Sequence, residues 1–322
     1  MAIDGERILI AGAGALGTVF GGMLRKAGWP VTLLGRSGHL TAIAERGLHI
    51  GGLWGDQKRV SGFALATDAQ ELRGPYAAVL LTVKAYDTAT MARAIAPHLG
   101  SHGVVISLQN GLGNMEEAAS AVGPERVVGG RVIFGAILTD PGSVQVTVYA
   151  EPVMLGSPHP GKFPALDVAA ERWACAFTEA GIPCEHTDEI VAYLWSKVLY
   201  NASLNPLGAV LGLSYGRLAA DPDLRWLMDR IIDEAHAVAL ASGVRLRWPS
   251  AAAFREEFYG RLVPATADHR SSMLQDIDRG HPTEVEAING RVWEYGRAAG
   301  VPTPLNEAMT RLLRVKARLE GG

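Results

Sequence analysis

The sequence predicts an α/β domain built on a doubly wound parallel sheet, followed by an all-α domain. Three observations predict it. From Arg7 to about His186, β-branched runs alternate with helix-period segments, the pattern of βαβ units. A glycine-rich turn joins the first strand to the first helix. After about Thr187 the strands disappear and only helical periodicity continues. A chain of 322 residues accommodates two domains, which we draw at 1–187 and 188–322, each large enough to bury a core.

The clearest strands are Ile8–Ala11, Val31–Leu34, Ala78–Val83 and Val104–Leu108. Helical stretches Ala15–Ala27, Thr88–His98 and Met115–Val122 end near Gly28, Gly100 and Gly123, where glycine serves as a C-terminal stop. Right-handed crossovers place these helices on both faces of the sheet. Between Val127 and Leu155 the strict alternation of Val144–Tyr149, with an Asp140-Pro141-Gly142 turn, reads as an antiparallel extension of that sheet. Pro158, Pro160, Gly161 and Pro164 mark a loop. In the second half, Leu224, Leu227, Met228, Ile231, Ile232, Ala235, Val238 and Ala239 step by three and four behind Asp221 as N-cap and Pro222 at the first helical position. Further helices are predicted at Glu189–Leu211, Ala252–Tyr259, Ser272–Arg279, Glu284–Ala299 and Leu305–Leu319. No long linker separates the halves, so a cleft between closely joined domains is expected.

Composition excludes several classes of function. The 30 basic and 33 acidic residues are well mixed and leave a net charge of −3, so no cationic field is present to hold nucleic acid or an anionic membrane. The start lacks the build of a secretory signal, and no apolar run nears the ~20 residues a membrane span needs, so a cytoplasmic enzyme is expected. The two cysteines, Cys175 and Cys184, read as buried reduced thiols. The nine histidines show no metal-ligand spacing, and no metal is expected. The oligomeric state is not fixed by sequence; a homodimer is compatible with it.

Gly12-Ala13-Gly14-Ala15-Leu16-Gly17 is GxGxxG directly after a strand and opening a helix. That context, rather than the spacing, makes it a Rossmann dinucleotide fingerprint: a tight turn, a close approach to pyrophosphate, and close helix–strand packing. The second strand ends Leu34-Gly35-Arg36-Ser37 with no carboxylate for a ribose 2′-hydroxyl. Arg36 can pair with a 2′-phosphate, which favours NADP over NAD; a solvated arginine is the other reading. Lys84 and Asn110 stand at two further strand ends on the ligand-binding edge, where spacing alone leaves cofactor contact and a simple loop role both open.

In the helix Glu189–Leu211, Lys197, Asn201 and Asn205 recur every four residues and share one face. A lysine there can protonate a carbonyl oxygen, and amides can orient a carboxylate or hydroxyl; a solvated polar stripe is the alternative. These residues, with the Leu108-Gln109-Asn110-Gly111-Leu112-Gly113 loop, the Asn205-Pro206-Leu207 continuation, and Ser271-Ser272-Met273-Leu274-Gln275-Asp276 leading to Arg279-Gly280-His281-Pro282-Thr283-Glu284 and Asn289-Gly290, resemble the ketopantoate reductases over nearly the whole chain. The resemblance implies a Rossmann domain joined to a helical domain like the C-terminal domain of 6-phosphogluconate dehydrogenase, and NADPH-dependent reduction of 2-dehydropantoate to pantoate in pantothenate synthesis. It further implies Lys197 as general acid, and Asn110, Asn201, Asn205 and Ser272 as ligands of a small 2-keto acid. Gly12 to Gly17, Arg36, Lys84, Asn110, the backbone around Ala136, and Glu284 would contact cofactor. A further substrate-binding asparagine of that family falls on Tyr215 here, and Gly130–Gly135 replaces the small and hydroxyl-bearing residues expected beside the nicotinamide. Another 2-keto acid is therefore the alternative substrate.

Two other classes of function find partial matches in the sequence. Gly212-Leu213-Ser214-Tyr215-Gly216 matches the GxSxG elbow of serine hydrolases, with Asp221 and His236 or His269 following, but a helix rather than a strand is predicted before it. A cofactor-sensing protein without catalysis would lack the proton donor that Lys197 supplies.

Overall fold

The computed structural model describes residues 6–320. The chain forms two compact units, one built from the residues through Gln109 together with Asn114–Ile190, the other from Asn110–Gly113 together with Val191 onward.

The first unit runs β1 (Ile8–Ala11), α1 (Ala15–Lys26), β2 (Val31–Leu34), α2 (Ser37–Arg46), β3 (Leu48–Gly52), β4 (Gln57–Val60), β5 (Ala64–Ala66), β6 (Tyr76–Leu81), α3 (Thr88–Ile95), β7 (Leu99–Ser107), α4 (Asn114–Val122), β8 (Val127–Arg131), β9 (Phe134–Asp140), β10 (Ser143–Tyr149), β11 (Val153–Gly156), α5 (Pro164–Glu179) and β12 (Cys184–His186). The main sheet has the order β12-β11-β8-β7-β6-β1-β2-β5. From β5 to β8 all pairings are parallel, and the order reverses between β1 and β6, the switch point at which ligands bind beyond the strand ends. Both faces of β1 are buried: Ile8 and Ile10 pack into one apolar cluster, Leu9 and Ala11 into the other. Strands covered on both sides read as continuous apolar runs, which is why β1 and β2 were legible as such.

The antiparallel extension predicted over Val127–Leu155 needs correction. β8 is a parallel member of the main sheet, and only β11 extends it antiparallel. The hairpin β9–β10 leaves to form a second sheet, β4-β3-β10-β9, pairing in parallel with β3. Alternation identifies a strand with one covered face but does not name its partner, and β3 lay too far off in sequence to be inferred. Pro164, read as part of a loop, opens α5, where its missing N–H costs nothing.

His39 of α2 ties three elements together. The backbone N–H of Gly142, in the β9–β10 turn, donates to Nδ1 at 3.1 Å, so the proton sits on Nε2, which donates to Thr18 Oγ1 of α1 at 3.1 Å. Burial holds this imidazole, and that of His269 in the second unit, below the ordinary value. The unfolded chain takes up these protons near pH 6.5, the folded chain only lower. Their contribution is therefore complete above pH 6.5 and is lost as pH falls, with a slope of up to about 1.4 kcal/mol per pH unit for each histidine. Melting scans should show a constant Tm between pH 7 and 8 and a decline from 6.5 toward 5; the decline should be shallower in His39→Gln, and an equal decline in that variant would remove His39 from the account.

The second unit is helical: α6 (Ile190–Leu211), α7 (Tyr215–Ala220), α8 (Pro222–Ala241), α9 (Ala251–Glu257), α10 (Ser272–Asp278), α11 (Asn289–Ala299) and α12 (Pro304–Glu320). Asp221 caps α8 as its sequence predicts, accepting from the N–H groups of Asp223 and Leu224 at 2.9 and 3.0 Å. The helix predicted from Glu284 starts later: Val285–Ala287 form a 3₁₀ turn and Ile288, outside helical geometry, precedes α11. No described helix is long and apolar enough to cross a membrane.

Candidate active site

In the first unit the glycine turn is packed as its sequence requires. Gly12 has φ +113°, and a Cβ there would lie 2.6 Å from Val83 N; at Gly17 it would lie 2.3 Å from Gly12 O and 2.5 Å from Thr82 Oγ1. Gly14 is the exposed N-cap of α1, with no side chain capping the helix, no acidic residue in the first turn, and open space where a Cβ would stand. The first-turn N–H groups of Ala15, Leu16 and Gly17 have no intrahelical acceptor, the arrangement an anion needs.

Two strand ends meet this turn. Leu34 O accepts from Gly12 N at 3.1 Å and Ala13 N at 2.8 Å, which sets the exposed Arg36, N-cap of α2, two residues beyond the contact. Thr82 Oγ1 donates to Gly12 O at 2.8 Å, two residues before Lys84. A buried network holds the next strand end: Gln109 Nε2 donates to Val83 O and to Thr88 Oγ1, and Thr88 Oγ1 to Asn114 Oδ1. The unfilled first-turn N–H groups behind Gly14, with no acidic side chain beside them, fit the pyrophosphate of a dinucleotide. Ala136 stands on β9 of the smaller sheet, paired with Val146 and packed against the apolar cluster that also contains Ala13 of the glycine turn.

In the second unit, Lys197 Nζ donates to Asn110 Oδ1 at 2.6 Å, and Asn110 Nδ2 reaches Glu284 Oε2 at 3.4 Å. The amide thus faces the cation with its oxygen and the carboxylate with its nitrogen. The loop carrying Asn110 is pinned by Leu112 N donating at 2.8 Å to the carbonyl of Ala287, three residues after Glu284. Glu284 is 7% exposed. One turn along α6, Asn201 is 8% exposed, and among the described residues its side chain has no hydrogen-bond partner. Burying an amide unpaired is costly unless a ligand completes it. Another turn along, Asn205 Oδ1 accepts from Tyr215 O–H at 2.6 Å, and its main-chain oxygen from Ser271 Oγ at 3.4 Å. Ser271 also caps α10, and its neighbour Ser272 is exposed at the first position of that helix. The predicted second-unit residues are thereby linked through α6 and the segments that flank it.

Sequence reasoning placed Asn289 in the family pattern but gave it no role. Pro206 lies inside α6 and has no N–H for the carbonyl of Ala202 four residues back. Asn289 Nδ2 supplies that bond at 3.0 Å and also donates to Asn306 Oδ1 at 3.0 Å. A proline mid-helix was the available signal, because a freed buried carbonyl must be satisfied from elsewhere. Ser214 follows α6 rather than a strand, so the hydrolase elbow is not formed.

The family described as Ketopantoate reductase PanE/ApbA matches residues 8–158, and its C-terminal part, Ketopantoate reductase PanE/ApbA C terminal, matches 189–317. The chain belongs to the ketopantoate reductase family. It is 36% identical to the 2-dehydropantoate 2-reductase of Aquifex aeolicus over 96% of each chain. Among solved structures it resembles a PanE/ApbA family ketopantoate reductase from Ralstonia eutropha, with TM-score 0.86, 30% identity, and 98% and 100% of the two chains covered. It resembles equally in fold a D-mandelate dehydrogenase solved with NADH and anilino(oxo)acetate, with TM-score 0.86, 26% identity and the same coverage. The ketopantoate reductase architecture, an α/β unit and a helical unit, is that described above.

Proposed function

We propose that the chain reduces 2-dehydropantoate to pantoate with NADPH, residues 1–187 serving as the NADP-binding domain and 188–322 as the catalytic domain. The observation that carries this reading is the hydrogen-bonded series Lys197–Asn110–Glu284, in which Lys197 stands on α6 one turn before Asn201, a buried amide with no hydrogen-bond partner among the described residues. When bound, NADPH supplies the hydride that reduces the keto carbon. Lys197 donates a proton to the keto oxygen as negative charge develops there, and Asn110 holds the ammonium in place. Asn201, Asn205 and Ser272 offer neutral donors to the keto acid's oxygens, and Glu284 orients hydroxyl groups of cofactor or substrate through Asn110 and directly. Gly12 to Gly17, Arg36, Lys84 and the backbone at Ala136 hold the cofactor. In this reading the enzyme works in the cytoplasm, on a small molecule rather than on nucleic acid or membrane, and a homodimer is allowed.

A second reading, a reductase of another 2-keto acid, is favoured by Tyr215 and by the likeness to a D-mandelate dehydrogenase. Loss of reduced-nicotinamide absorbance across a panel including ketopantoate and phenylglyoxylate separates the two. Oxidation with none of them would overturn both and leave a cofactor-sensing protein.

Arg36 gives the cofactor test. Arg36→Ala should raise the KM for NADPH by about tenfold or more and leave that for NADH within about twofold, since a charge-assisted contact to the 2′-phosphate accounts for the difference. Equal effects would end the NADP assignment.

A further inference from the structure

Tyr215 is 3% exposed, and among the described residues its phenol has one hydrogen-bond partner, Asn205 Oδ1, at 2.6 Å. Its backbone is fixed by Tyr215 N donating to His269 O at 3.1 Å and Gly216 N to Ala267 O at 2.8 Å. Its ring packs edge-on to Tyr200 at 5.8 Å and against His269 at 5.1 Å. The phenol keeps its proton: burial, then the neighbouring Tyr200, hold it well above the ordinary tyrosine range. Asn205 is 4% exposed, and among the described residues its Nδ2 has no hydrogen-bond partner.

An amide side chain can face a ligand with either end, and the two ends suit opposite partners. Were Asn205 turned round, the Tyr215 proton would face an N–H₂ group and lose its only acceptor, which a buried hydroxyl does not readily forgo. We propose that Tyr215 is a positioning residue for substrate recognition: by donating to Oδ1 it commits Asn205 to present its two N–H donors, so that this position selects an acceptor oxygen, as in the carboxylate of a 2-keto acid. Tyr215 acts through Asn205 and does not itself contact substrate. The inference rests on the proposed reduction of a 2-keto acid.

Tyr215→Phe removes only the hydroxyl and keeps the ring packing. On the keto acid that the wild type reduces, this variant should raise the substrate KM about tenfold, with kcat and the KM for NADPH within about twofold and Tm close to wild type. Asn205→Asp retains the acceptor for Tyr215 but presents an anion where donors stood, so its KM should rise at least as far as that of Asn205→Ala. In the Asn205→Ala background, Tyr215→Phe should add no further change. An unchanged KM in Tyr215→Phe, wild-type affinity in Asn205→Asp, or effects that multiply in the double variant would each overturn the proposal. Should Tyr215→Phe fold poorly, the Asn205→Asp and Asn205→Ala comparison decides alone. A wild type that reduces no 2-keto acid overturns the proposed function and this inference together, whereas a reducing wild type with an unaffected Tyr215→Phe overturns only the latter.

Discussion

Lys197→Ala should lower kcat by 10²–10⁴-fold, about 3–5 kcal/mol of transition-state stabilisation, while NADPH still binds with near-native affinity. The separation of the two readouts follows from where the groups stand. The cradle of Gly12 to Gly17 is built within the first unit, from β1, α1 and the strand ends at Leu34 and Thr82. Lys197 belongs to the second unit, where its Nζ donates to Asn110 Oδ1 at 2.6 Å, a bond that helps to keep the ammonium in one place. Removing it also takes from Asn110 Oδ1 the ammonium that it accepts from, while the 3.4 Å contact from Asn110 Nδ2 to Glu284 stays. Lys197→Arg would keep the charge but not the chemistry, since a guanidinium does not release a proton near neutral pH. Its kcat should therefore fall with that of Lys197→Ala; recovery in the arginine variant would make the residue an electrostatic clamp. A kcat within tenfold of wild type in Lys197→Ala would end its assignment as proton donor. Titrating NADPH quenching of tryptophan fluorescence gives the affinity independently of turnover.

What could be read from the sequence was whatever is encoded locally. β1, the glycine turn and α1 are contiguous, and each demands a particular residue type at each step, so Ile8–Ala11 and the start of α1 at Ala15 match their predicted bounds. The cap at Asp221 and the three-and-four spacing behind it likewise specify α8 within one stretch. The separate sheet of β3, β4, β9 and β10 depends on a parallel pairing of β3 with β10, some ninety residues apart, which no local pattern announces. At the candidate site the i, i+4 spacing put Lys197, Asn201 and Asn205 on one face, but spacing carries no information about partners. The bond from Lys197 to Asn110 spans 87 positions and that from Asn110 to Glu284 spans 174. Tyr215 was visible only as a departure from a family pattern; its bond to Asn205 turns that departure into a physical relation.

Asn289→Ala should destabilise the folded chain by about 2–4 kcal/mol, the larger stability effect expected here of a single polar residue. Asn289 and Asn306 are fully buried, and Asn289 Nδ2 serves two acceptors, Ala202 O and Asn306 Oδ1. Truncation orphans both acceptors and opens a cavity, partly offset because Asn289 Oδ1, which has no hydrogen-bond partner among the described residues, is removed too. Asn306 Nδ2 keeps its bonds to Glu234 Oε2 at 2.8 Å and to Ile231 O at 3.4 Å, which hold that side chain in place while its Oδ1 and the carbonyl of Ala202 both lose their donor. That carbonyl needs Asn289 only because Pro206 brings no N–H to it. Pro206→Ala restores the donor within α6, and Asn289→Ala should cost at least 1 kcal/mol less in that background than in the wild type. Denaturant melts of the four proteins in the cycle measure this coupling. Additive costs would mean that the helix satisfies Ala202 O by another route, and that Asn289 serves the packing of α11 against α12 rather than the turn of α6 between Asn201 and Asn205.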